Sequence, residues 1–395
     1  MESHVRTNPS ANSSLGFCLL PSELIHNILL NLALPDIKSL GRANKCLSSI
    51  ITDPNFVREF NNQSRSTSWL FFGKKRWPQD GILHGFTHRA GQWFMIPIAK
   101  LLKPVIFPGE DLYFLTANGN VFLFASNTQR ALIAADLMNK RVKKIPPSPL
   151  GPRGTSSWRR YGMKLVGGLP GSGHFRFMFV EVVDNSPTLF LYCSETDQWQ
   201  SMEAGENPST FRGLGKAEDY MFLNLINGPQ QNILVAVGST EALRPLILRP
   251  RFANGRNPGA QLTATSGWID RLHVYGDGYM VIVRSEDADR GMRMLGSIEL
   301  WGLSMDGSQW EFASRVPEKL MERLRKPYGV LMGCLEAREG TVRAALVSTF
   351  EGQWDIIWLS YEVRGRVWAH VPVPDCQMKG SNMAGISFSS GLSLP

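Results

Sequence analysis

From Leu20 the chain reads LPSELIHNILLNLALPDIKSL, with Leu24, Ile25, Ile28, Leu29 and Leu32 at i, i+1, i+4, i+5 and i+8. That spacing predicts one apolar face of an amphipathic helix. Pro21 suits the first turn, where a missing N–H costs nothing. Pro35 breaks the pattern and opens a second helix, with Ile37, Leu40, Ala43 and Leu47 along one side. Asp53-Pro54 marks a further turn, and Phe56 follows as a large apolar residue. The segment reads as three short helices. Residues 1–16, polar and rich in Ser and Asn, read as a disordered leader.

Beyond residue 66 the pattern shortens to strands and turns. DLYFLTANGNVFLFAS sets Asn118-Gly119 between two apolar runs, and LHVYGDGYMVIVRSE does the same with Asp277-Gly278, both strong hairpin signals. Four sites repeat a polar turn followed by tryptophan: Trp93, Trp199, Trp310 and Trp368, separated by 106, 111 and 58 residues. The first two gaps are near twice the third. A unit without tryptophan therefore belongs midway in each, near Lys144 in LMNKRVKKIPPSP and near Leu246 in EALRPLILRP. Six units of about four strands predict a closed propeller, which removes the sheet edges that invite aggregation. A seven-bladed propeller and an irregular barrel stay open as alternatives. The tryptophans recur with the unit, so they read as packing between blades rather than as ligand stacking. The stretches STSWLFFG and GISFSSGLSL, at the two ends of the β region, could share one blade.

Forty helical residues bury little of their own surface and need a partner or a neighbouring domain. The run LPSELIHNILLNLALPDIKSL…DPNF resembles an F-box, through Leu20, Pro21, Glu23, Leu24, Ile25, Ile28, Leu29, Leu32, Pro35, Asp36, Ile37, Leu40, Asp53, Pro54 and Phe56. It departs from that pattern at Ala43, Asn44 and Leu47, where Val-Cys and then a tryptophan are usual. The resemblance implies binding to a Skp-family adaptor, and through it to a cullin scaffold and a ubiquitin-conjugating enzyme. The residues it points to for the adaptor contact are Leu20, Pro21, Leu24, Ile25, Ile28, Leu29, Leu32, Pro35, Ile37, Leu40, Leu47 and Phe56.

The β units are similar to kelch-type blades, although a double glycine occurs only at Gly167-Gly168. An F-box followed by such blades resembles the plant F-box/kelch group. The expected fold is thus α+β and multidomain. It comprises the leader, an F-box over 17–62, an all-β six-bladed propeller over 66–374, and a C-terminal segment 375–395 as the candidate for closing a blade. The resemblance implies the substrate receptor of an SCF-type ubiquitin ligase, with no catalysis of its own and an unidentified protein target. A scaffold or transcriptional cofactor without ligase work is the alternative.

Composition narrows the chemistry. The formal charge is +8 over 395 residues. Residues 1–60 are balanced, Arg6, Lys38, Arg42, Lys45 and Arg58 against Glu2, Glu23, Asp36, Asp53 and Glu59, so the excess lies in the β region. The basic clusters Lys74, Lys75, Arg76 and Arg141, Lys143, Lys144 are too short for a nucleic-acid groove. They read as loops, and if they share a face they are candidates for an acidic or phosphorylated target segment. Five widely spaced cysteines without a CxxC pair suggest neither zinc nor a disulfide framework. His84 and His88 lie in a turn-rich stretch with no third ligand near. GGLPGSG lacks the Gly-Lys-Ser/Thr of a phosphate loop. No cofactor, metal or membrane span is expected.

Overall fold

A computed structural model of the chain describes residues 20–64, 66–74, 81–107, 109–158, 162–168, 172–206, 220–226, 232–238, 244–253, 271–288, 292–374 and 383–394. The first of these segments forms four helices, α1 (Ser22–Leu30), α2 (Leu34–Ala43), α3 (Lys45–Ile51) and α4 (Pro54–Ser64). The expectation of three short helices missed one division. Asn44 leaves helical geometry at φ −146° and its Oδ1 accepts the Cys46 N–H at 2.7 Å, which ends α2 and caps α3. Asp53-Pro54, read as a turn, opens α4. Asp53 Oδ1 accepts the N–H groups of Asn55 and Phe56, and Pro54 takes the first helical position.

The β region forms six sheets around a common axis. Four have four strands each, the fourth has three, and the fifth adds two short pieces, Arg251–Phe252 and Pro327–Tyr328, to its four blade strands; each is written from the axis outward. The second blade is Leu112–Asn118, Val121–Ser126, Leu132–Asp136 and Arg141–Ile145. The third is Met163–Gly167, Phe175–Val183, Ser186–Cys193 and Gln198–Glu203. The fifth is Arg271–Gly276, Tyr279–Ala288, Met292–Leu303 and Gln309–Arg315. The sixth is Val330–Arg338, Thr341–Phe350, Gln353–Glu362 and Val367–Val371. The first blade takes its inner strand from the other end of the chain: Met383–Ser390 pairs antiparallel with Ser68–Lys74, followed by Ile82–Thr87 and Gln92–Pro97.

The fourth blade is the exception. Tyr220–Ile226 and Asn232–Gly238 pair with a short third strand, Leu246–Leu248, and among the described residues no outer strand follows in that sheet. The stretch around Leu246, which the repeat spacing matched to the outer strands, is thus a third strand. Arg251–Phe252 instead runs parallel to Gln309 and Trp310 at the edge of the fifth blade. Pro245 and Pro250 flank the short strand, and neither can donate to a ladder, which confines regular pairing to the residues between them.

The helical module sits on the first two blades. Ile25, Leu29, Leu34, Ile37, Phe56 and Phe60 share one buried core with Trp69, Phe71, Phe122, Leu392 and Leu394. Arg89, in a turn of the first blade, donates from Nη2 to the Leu30 carbonyl and to Asn31 Oδ1, both at 2.8 Å, covering the α1 carboxyl end with a cation. The tail after the closing strand is bracketed twice. Asn61 of α4 donates to the Leu394 carbonyl and accepts its N–H at 2.7 Å. Asn120 does the same for Ser393, at 3.0 Å each way. The module is therefore part of the folded body as well as a surface.

Closure also rests on Gly385. Its φ is +104°, and a Cβ there would collide with the Phe114 carbonyl of the second blade. Gly385→Ala should lower stability by about 2–4 kcal/mol. Gly91→Ala, at φ +62° with open space around it, should cost only about 1 kcal/mol. Urea denaturation of the two variants against the wild type reads the difference, and equal losses would remove Gly385 as a closure constraint.

Candidate functional site

The two sides of α1 do different work. Ile25, Leu29 and Leu30 face inward and are buried. Leu24 and Ile28, four residues apart on α1, face outward with exposures of 49% and 38%, and Leu20, just before the helix, is 37% exposed. Large aliphatic side chains one turn apart on an exposed helix face are the usual shape of a helix-mediated contact. Pro21 begins the helix at the same surface.

The residues singled out for an adaptor contact therefore separate. Leu20, Pro21, Leu24 and Ile28 are exposed, Leu32, Pro35 and Leu40 are half-buried, and Ile25, Leu29, Ile37, Leu47 and Phe56 lie inside. The inner group is covered by the protein's own core in this state. The i, i+1, i+4, i+5 pattern contains two adjacent stripes, and only the packing decides which one the protein keeps. Phe56 sits between His26 and Phe60, edge-on to the first at 5.1 Å and stacked on the second at 6.1 Å. His26 Nε2 meets Glu59 Oε2 at 3.0 Å, tying α1 to α4 beneath that outward face. Leu47, where the family pattern has a tryptophan, is buried in the shared core.

The four tryptophans occupy one structural position, the second residue of an outer strand. Three of them reach back to the preceding blade. Trp93 Nε1 donates to the Pro374 carbonyl at 3.0 Å, Trp199 to the Pro146 carbonyl at 2.9 Å, and Trp368 to Ser314 Oγ at 3.0 Å. Trp310, whose preceding blade is the short fourth one, has no such partner among the described residues and packs with Leu246, Leu248 and Tyr275. Each latch is worth roughly 1 kcal/mol for its hydrogen bond, beyond the area the ring covers.

The inner strands line a cavity of about 360 Å³ on the axis. Lys164 of the third blade forms an ion pair with Asp277 of the fifth, passing the inner strand of the fourth, and Asp277 Oδ2 also accepts the Ala337 N–H of the sixth at 3.3 Å. One carboxylate thus joins three blades where the sheet between them is shortest.

Lys75 and Arg76 lie outside the described residues, and Lys74 ends the strand Ser68–Lys74. Arg141, Lys143 and Lys144, expected in a loop, belong to the outer strand Arg141–Ile145, where successive side chains alternate. Lys143 meets Asp197 at 2.9 Å and lies over the Tyr192 ring, whereas Lys144 donates to Gln129 Oε1 at 2.9 Å, toward the other rim. His84 is buried and stacked on Phe72, His88 is exposed, and among the described residues no three His, Cys, Asp or Glu side chains group as metal ligands. No helix of the described residues is long and apolar enough to cross a membrane.

Comparison with known proteins adds a family for the helical part. Residues 17–59 match the F-box domain. No curated protein matches the sequence. Among solved structures the chain is similar to TolB from Acinetobacter baumannii, at 9% identity over 82% of this chain and 67% of that one, with a TM-score of 0.41. It is also similar to the Nidogen/Laminin complex, at 8% identity over 83% of this chain and 100% of that one, TM-score 0.40.

Lys143, Tyr192 and Asp197 form a latch between the second and third blades, with the Tyr192 hydroxyl donating to Asp197 Oδ1 at 2.6 Å. That bond, and then Lys143, holds the Asp197 carboxyl below the usual carboxylate range. Burial, then the Asp197 bond, pushes the Tyr192 hydroxyl up to about 12. Burial works against the Lys143 charge, but the Asp197 and Tyr192 oxygens outweigh it and raise the ammonium. Asp197 therefore contributes stability above its unfolded value of about 3.9, lost as pH falls through the lower folded value. The Lys143 contribution is present below its unfolded value of about 10.4 and lost as pH rises through the higher folded value. Asp197→Asn should lower the melting temperature by about 1–2 °C at pH 7 and flatten the acid limb of the curve. Melting curves taken from neutral to acid pH check this; an unchanged acid limb would remove the latch from the pH response.

Proposed function

We propose that this chain is the target-recognition subunit of an SCF-type ubiquitin ligase. Its F-box, residues 17–59, would hold a Skp-family adaptor, and its propeller would hold a protein to be ubiquitinated. The observation that carries this reading is the exposure of Leu20, Leu24 and Ile28 on a module that matches the F-box domain. Three exposed large aliphatic side chains, with Ile25, Leu29 and Leu30 already committed to the core, leave a surface that water covers poorly. The half-buried Leu32, Pro35 and Leu40 would flank that contact. The chain itself contributes no covalent step. Catalysis would belong to the conjugating enzyme recruited through adaptor and cullin, and this subunit would raise the effective concentration of the target. The blades are of kelch type in their unit length and tryptophan placement, and the combination is similar to the plant F-box/kelch group. Such a complex would work in the cytoplasm, the nucleus or both.

The test is capture of the purified full-length chain by a Skp-family adaptor at micromolar concentration. Leu24→Asp and Ile28→Asp should each weaken capture at least about tenfold, because each would place a carboxylate in the contact. The far-UV spectrum and melting temperature should be unchanged, since both positions face solvent. Wild-type protein that the adaptor does not retain would overturn the reading. Capture by both aspartate variants at wild-type strength would move the contact away from α1.

A further inference from the structure

The gap between the fourth and fifth blades opens on the axial cavity and holds polar groups that the fold does not use. In the inner strand of the fourth blade, Phe222 and Asn224 lie opposite Ala236 and Leu234. Phe222, Ala236 and Leu234 pack with Met280, Ile282 and Trp310 of the fifth blade, so Asn224, on the same strand face, looks that way too. His273 and Tyr275 lie opposite Ile282 and Met280, and by the same alternation they look back toward the fourth blade. Tyr275 and Trp310 hold their ring centroids 6.2 Å apart.

Two of these groups are buried without a partner. Trp310 is 1% exposed, and its Nε1–H meets no acceptor among the described residues. Asn224 is 8% exposed, and its Oδ1 meets no donor among them. Both line the axial cavity of about 360 Å³. A donor and an acceptor buried unpaired destabilise the fold, and an occupant that bonds to both removes that cost. The charges at the cavity wall are already matched. Among the described residues Lys164 is the one lysine or arginine that lines it, and it pairs with Asp277, while Glu336 pairs with Arg343. Burial pushes the Tyr275 hydroxyl up, so it stays neutral as well. The occupant that suits this wall is uncharged. Asn118 and Ser390 border both this cavity and one of about 390 Å³ at the rim beside α4, which gives a small molecule a way in.

We propose that the gap between the fourth and fifth blades binds a neutral purine of the adenine type, as the free base or its nucleoside. The Asn224 amide carries an acceptor beside a donor, the pair that matches the amino group and adjacent ring nitrogen of adenine. Trp310 Nε1–H would meet a further ring nitrogen, and the Phe222 and Tyr275 rings supply faces for stacking. A phosphate would find no unpaired cation here. The volume suits a base or nucleoside and is small for a dinucleotide. The site belongs to the propeller and stands apart from the ligase reading.

Titration calorimetry on the full-length chain tests it, with adenine, adenosine, hypoxanthine and ATP as probes. Adenine or adenosine should bind saturably below about 1 mM, with no loss between about 50 and about 200 mM salt. Hypoxanthine, which replaces the amino donor by a carbonyl, should bind at least about tenfold more weakly, and ATP no more tightly than adenosine. Asn224→Leu should weaken adenine at least about tenfold, and Trp310→Phe should weaken it while keeping a ring. Asn224→Leu removes a buried unpaired group, so its ligand-free melting temperature should match or exceed the wild type, and its adaptor capture should be unchanged. No saturable heat up to about 2 mM adenine or adenosine, or unchanged binding by both variants, would overturn the proposal. Equal binding of hypoxanthine would overturn the pairing with Asn224, and tighter binding of ATP would overturn the neutral ligand. Adenine binding by a chain that no adaptor retains would leave this site standing and remove the ligase reading.

Discussion

The fold depends on one antiparallel pairing between distant parts of the sequence. Met383–Ser390 lies beside Ser68–Lys74, with Ser68 opposite Ser390 and Phe72 opposite Ile386. Without it the first blade would have three strands and an open inner edge, and the ring would have no reason to close. The closing strand is also gripped from its neighbours. The Gly119 N–H of the second blade donates to the Ser390 carbonyl at 3.1 Å, and Arg338 of the sixth blade reaches the Ser390 hydroxyl. The tail that follows carries the restraint outward through Asn120 and Asn61 into α4. Ring closure and placement of the helical module are thus one event, sharing Leu392 and Leu394 in a common core.

That coupling gives the molecule two sides. The module covers part of the rim at the first two blades and presents α1 outward. Among the described residues the opposite rim carries the proline-rich stretch after Ile145 and the helix Glu318–Leu324. A rigid body between a surface on one rim and a surface on the other fixes their separation and angle. Flexible linkage would not.

Much of this was legible in the sequence. The change of apolar period near residue 66 separated helices from strands, and Asn118-Gly119 and Asp277-Gly278 marked hairpins that the strands do form. Tryptophan spacing located outer strands because a large ring with one N–H does the same job wherever two blades meet. The fourth blade was mismatched because its third strand, between two prolines, carries apolar residues in the place where spacing alone expects an outer strand. The outward face of α1 could not be separated from its buried neighbours, since adjacent apolar stripes look alike until packing chooses between them. The cluster at Arg141 to Lys144 was seen as a loop, whereas strand alternation sends Lys143 and Lys144 to different neighbours.

The closing strand has a consequence for the order in which the molecule forms. During synthesis the first blade must wait as a three-stranded sheet while five others are made, because its inner strand is translated after theirs. For that interval Ser68–Lys74, with Leu70, Phe71 and Phe72 side by side, presents an unpaired apolar edge that would pair with any neighbouring chain. The helical module cannot complete its seat either, since Leu392 and Leu394 arrive later still. Contacts of such sequence separation form slowly. A folding intermediate of this protein should thus need shielding until residues 383–394 emerge, and its surfaces become available together rather than one at a time.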